Sequence, residues 1–148
     1  MSVDIVGLLN DLTGGNLLAW KVTLTTVVFA LAGLQVAMAA SLWRVGGIPG
    51  VTAATAAGVH RWSGRLTLAL SLAVAFACLV GPAGPSSPTR VLLHSLFGAL
   101  LFAVLAAKFA LLKLTPSGNR FLPAAGSLLF LTFGAIWATS VADYVRAR

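Results

Sequence analysis

The chain has 148 residues, 59% of them hydrophobic and only 9% charged. A water-soluble domain carries about 25% charged residues to cover its surface, so this composition excludes one. The net charge of +7 calls for no nucleic acid, because the basic residues sit at the ends of apolar segments, where they meet anionic headgroups.

Residues 1–19 form an N-terminal segment without the basic start of a signal peptide, and it is expected to be retained. Ile5, Leu8, Leu9 and Leu12 recur at helical spacing, which fits either a short helix lying in the membrane surface or a frayed apolar terminus. Residues 20–145 then read as a single domain of four spans, about 20–43, 52–80, 88–114 and 121–145, before a basic tail at 146–148. Each span exceeds the roughly 20 helical residues needed to cross a hydrocarbon core. The separators RVGGIPG (44–50), GPAGPSSPTR (81–90) and TPSGNR (115–120) all carry glycine and proline, which end helices and favour turns. Runs such as LLFAVLAA do not alternate as barrel strands must. The expected fold is all-α, an antiparallel bundle of four transmembrane helices in a polytopic membrane protein.

Orientation follows from the basic residues. Arg44, Arg61, Arg65, Lys108, Lys113 and Arg120 lie at one set of helix ends, against Lys21, Arg90, Arg146 and Arg148 at the other. This excess predicts a multi-pass cell-membrane protein with both termini outside the cytoplasm. Trp43, Arg44, Arg61, Trp62, Arg65, Lys108 and Lys113 are candidate membrane anchors, and Trp20 and Trp137 join the same aromatic belt. Small residues should let the helices approach: Gly33, Ala37 and Ser41 on the first span, Gly64, Thr67, Ser71, Ala75 and Cys78 on the second, Gly126 and Gly134 on the fourth. Gln35, deep in the first span, should face a neighbour, since an unpaired amide in lipid is costly.

The chemistry-bearing residues are few. Cys78 is the single cysteine, so no disulfide or thiolate zinc site forms within one chain. The three acids, Asp4, Asp11 and Asp143, are terminal, and no HExxH, CxxC or phosphate loop occurs. Hydrolase, nucleotide-enzyme and ion-pump chemistry is disfavoured. Two histidines remain, each with a glycine four residues later: His60-Arg-Trp-Ser-Gly64 and His94-Ser-Leu-Phe-Gly98. At that spacing the ring and the glycine share a helix face, which would leave room for a flat macrocycle beside an axial ligand. His60 and His94 open successive antiparallel spans, so they should lie about 20 Å apart in depth and serve different irons. Met38 is a candidate mate for His60. The competing reading makes His60 an interfacial mooring beside Arg61 and Arg65, and Met38 a core filler.

HRWSGRL and RVLLHSLFGALLFAVLAAKF (90–109) resemble a family of small bacterial four-helix membrane proteins with no assigned function. More distantly the chain resembles b-type cytochromes and ferric-reductase-like transmembrane haem bundles. The likeness to the small family implies a second histidine late in the second span, in a segment like AYHCL; here the segment reads AFACL, with Ala77 in the imidazole's place. Two functions stay open. One is a membrane scaffold or accessory subunit with a b-cytochrome-like bundle, associated with a redox system, with or without haem, and not an enzyme. The other is an electron-transfer subunit with haem b on His94 and His60, with Gly98 and Gly64 giving the ring room. Expected partners are the lipid bilayer, a membrane redox protein or quinone, and a second copy of the chain, with no nucleic acid.

Overall fold

A computed structural model describes residues 4–81, 87–114 and 120–146. Among these residues the chain forms α1 (Ile5–Leu12), α2 (Leu17–Trp43), α3 (Ala53–Val80), α4 (Pro88–Leu114) and α5 (Leu122–Arg146), and no strand. The last four are long and apolar enough to cross a membrane, consistent with a multi-pass membrane protein.

Local chemistry sets the helix ends. Asp4, Asn16 and Thr52 accept from the backbone N–H groups of Gly7, Ala19 and Thr55, so polar side chains cap α1, α2 and α3. Pro88 opens α4, where its missing N–H costs nothing, and the Ser87 carbonyl accepts from Arg90 and Val91. Arg44 ends α2 in the left-handed region at φ 56°, while the Val45 N–H returns to the Ala40 carbonyl. The turn then folds back so closely that a Cβ at Gly47 would lie 2.9 Å from the Ser41 Cα. Only glycine fits there.

The packing order is α3–α2–α5–α4. α2 lies against both α3 and α5, and α4 against α5, but α3 and α4 do not pack along their lengths. The α2–α5 seam is aromatic. Phe29 stacks on Phe130 and on Trp137, with ring centroids 5.2 Å apart in each case. Gly134 lets Phe29 approach, since a Cβ there would sit 3.5 Å from the ring. The Trp137 Nε1–H donates to Thr26 Oγ1 at 3.0 Å, so this tryptophan ties α5 to α2. The α4–α5 seam is aliphatic, built on Leu101, Val104, Leu129 and Ile136.

The α2–α3 seam is built from small residues. Ser63, Thr67 and Ser71 are buried, and each hydroxyl donates to the carbonyl four residues back. The helices approach closely while every hydroxyl stays satisfied. Toward the end of α3 the buried residue is Ala77 and Cys78 is exposed, the reverse of what the small-residue stripe suggested. α1 also packs on α3, and Leu17 and Lys21 crowd Gly81 at its end.

We expect Gly134→Leu to force Phe29 off its stack and lower stability by about 1–3 kcal/mol, the usual cost of overpacking. Gly134→Ala, which meets Phe29 at ordinary contact distance, should stay within experimental error of the wild type. Unfolding in mixed detergent micelles checks both.

Candidate functional site: a lateral cleft between α3 and α4

Because α3 and α4 stand apart, a cleft of about 630 Å³ runs between them, floored by α2 and α5. This lies within the ordinary range for ligand sites, roughly 300–1,000 Å³. Its body is apolar, with Phe102, Phe109, Phe130 and Phe133 among the walls. Its polar groups gather toward one end, where α2 and α4 finish and α3 and α5 begin: Gln35, His60, Arg61, Arg65 and Lys108.

Gln35 organises that end. Its Nε2 amide donates to the His60 carbonyl at 2.7 Å and also to Ser63 Oγ, whose own proton goes to the Val59 carbonyl. In return the His60 ring reaches the Gln35 carbonyl, with Nδ1 at 3.2 Å. A carbonyl can only accept, so Nδ1 carries the proton and Nε2 keeps the lone pair. The two residues thus clasp each other's backbone across the α2–α3 seam. Gly64 makes this fit, because a Cβ there would sit 3.2 Å from Gln35 Oε1. The missing side chain accommodates the amide.

The cations divide by setting. Arg61 Nε donates to the Ala57 carbonyl, and the Arg65 guanidinium lies over the exposed Trp62 ring at 4.9 Å. Trp43, Arg44 and Lys113 are exposed at the same end. Lys108 differs from Lys113: it is half-buried, lines the cleft, and lies within electrostatic range of His60. No hydrogen-bond or ion-pair acceptor for it is found among the described residues.

His94 belongs to the opposite end. It precedes Lys108 on α4 by 14 residues, about 21 Å at 1.5 Å per residue, and interacts electrostatically with Lys21 and Arg90. Its Nδ1 lies 2.9 Å from Thr139 Oγ1. The Thr139 proton is already directed to the Ala135 and Ile136 carbonyls, so the imidazole is the donor and again Nε2 is left with the lone pair. Beside Gly98 nothing lies within 4 Å of where a Cβ would be, and His94 does not line the cleft.

These positions bear on haem. Among the cleft-lining residues His60 is the sole imidazole, and no thioether or thiol joins it; Met38 is buried elsewhere on α2. Ala77 is 1% exposed, so the place where the likeness to the small family would put a second ring is already filled. The donor set therefore does not fit a haem held by two side chains of one chain. Among the described residues no group of three or more His, Cys, Asp or Glu is placed to hold a metal ion.

A family of unknown function, DUF6529, matches residues 6–147. The chain belongs to this family. No curated protein and no solved structure matches it.

Both α4 and α5 contribute to the cleft, and only Lys108 among their residues carried a polar signal in the sequence. The Gln35 clasp predicts a measurable seam energy. Gln35→Ala should remove both amide hydrogen bonds and cost about 1–2 kcal/mol, at the upper end for interhelical bonds within membranes. Thermal unfolding in detergent, compared with Thr26→Ala on the other seam, would show whether the loss is confined to α3.

Proposed function

We propose that the protein is a non-catalytic accessory subunit of the cell membrane that holds a bilayer-borne ligand in the α3/α4 cleft, without a haem of its own. One observation carries this reading: a ligand-sized apolar cleft, open sideways, whose polar groups converge at one end and, among the described residues, include no carboxylate. Thr67 and Ser71 spend their hydroxyl protons within α3, so neither is an activated nucleophile. The basic excess at the Arg44 end supports placing that end in the cytoplasm and both termini outside.

A second reading, a b-type haem subunit using His60 or His94, is favoured by one detail. Both rings have Nδ1–H tied to a protein acceptor, the arrangement that orients imidazoles whose Nε2 binds a metal. It would require open coordination or a second chain for the sixth ligand.

A visible spectrum of the detergent-purified protein, followed by hemin titration, decides between them. We expect no Soret band and no stoichiometric uptake in the wild type, His60→Ala or His94→Ala. A Soret band that vanishes in either histidine variant would overturn the haem-free reading in favour of the cytochrome.

A further inference from the structure

Resting on the reading of the cleft as a ligand site, we propose that its occupant is an anionic amphiphile, a phosphate-headed lipid. The phosphate would sit against Lys108, Arg61 and Arg65, with the acyl chain along the phenylalanine wall.

Charge is the first argument. Three cationic side chains line one end of the cleft, and among the described residues no Asp or Glu lines it. The chain's acids stand at positions 4, 11 and 143, near the other helix ends, and cannot neutralise this end. Lys108 is the second. An ammonium group held half-buried without an acceptor among the described residues is costly, and a bound anion removes that cost. Arg61 and Arg65, both exposed and both lining the cleft, add positive charge beside it. Geometry is the third. Lys108 lies six residues before the end of α4, so a head held there stays about 9 Å from the helix end while the tail extends inward. The gap between α3 and α4 opens to the side, the direction from which a lipid enters. A neutral quinone would leave all three cations uncompensated.

The test uses the full-length protein, delipidated in neutral detergent and titrated with dioleoyl phosphatidylglycerol or dioleoyl phosphatidylcholine, with bound lipid counted by native mass spectrometry. We expect one phosphatidylglycerol per chain, preferred over phosphatidylcholine by at least about tenfold. Lys108→Gln should reduce that preference about fivefold, as expected for one basic residue at an anionic surface, and Lys113→Gln should not. Gly126→Leu acts on the apolar body instead. Gly126 lines the cleft, and a Cβ there would meet nothing within 4 Å, so leucine should block the tail without disturbing the fold. Loss of bound lipid in that variant, with unchanged helicity, supports the placement.

Equal retention of the two lipids would overturn the proposal while leaving the ligand cleft standing, as would displacement of phosphatidylglycerol by a neutral isoprenoid quinone. Displacement by glycerol phosphate alone at similar concentration would mark a free-anion site and also overturn it. An equal effect of Lys113→Gln and Lys108→Gln would reduce the binding to general surface charge. Failure of every amphiphile to bind saturably would sink the cleft reading itself.

Discussion

The attachment of α3 to α2 governs the rest of the molecule. α3 packs along no other long helix, so its position depends on a seam of small residues and on the clasp between Gln35 and His60. Lipid gives helices little hydrophobic reason to associate, since acyl chains are as apolar as leucine. Close backbone approach and a few polar bonds must do it. The aromatic α2–α5 seam and the aliphatic α4–α5 seam use bulk, and the α2–α3 seam uses smallness. With α3 fixed on the far side of α2 and α4 on the far side of α5, the bundle has an open flank, and the cleft is its direct result.

Much of the fold could be read from the sequence because the bilayer leaves few choices. Every buried backbone group must be paired within its own segment, so apolar runs of this length become helices, and Gly-Pro separators mark their ends. Gln35 shows how far such reading extends. A lone amide within an apolar run has to find a partner, but nothing in the sequence said that the partner would be the backbone beside a histidine. Trp137 shows the limit. A tryptophan near a helix end fits an interfacial belt by position alone, and the Thr26 hydroxyl that engages it is 111 residues away in sequence. Likewise, the small-residue spacing of α3 carries the stripe to Cys78, but the residue buried there is Ala77. The gap between α3 and α4 left no local trace at all, because it depends on which helices fail to meet.

The histidines illustrate how one residue type serves two settings. His60 bonds to a main-chain carbonyl of another helix, and His94 to a threonine hydroxyl whose proton is already engaged. In each case the acceptor fixes the tautomer, so both rings are oriented before any ligand is considered. Orientation of this kind serves structure as well as coordination. It satisfies a polar ring inside an apolar bundle, which is reason enough for it to exist.

The hydroxyl ladder on α3 has a mechanical consequence. Ser63, Thr67 and Ser71 donate their protons inward, to their own helix, so across most of its length the seam presents α2 with no directional bond. Such a surface tolerates axial sliding. Gln35 supplies the one lock described along it, gripping His60 and Ser63 together. The vertical alignment of α3, and with it the height at which His60 faces Lys108, is therefore set at the single point where Gln35 and His60 clasp.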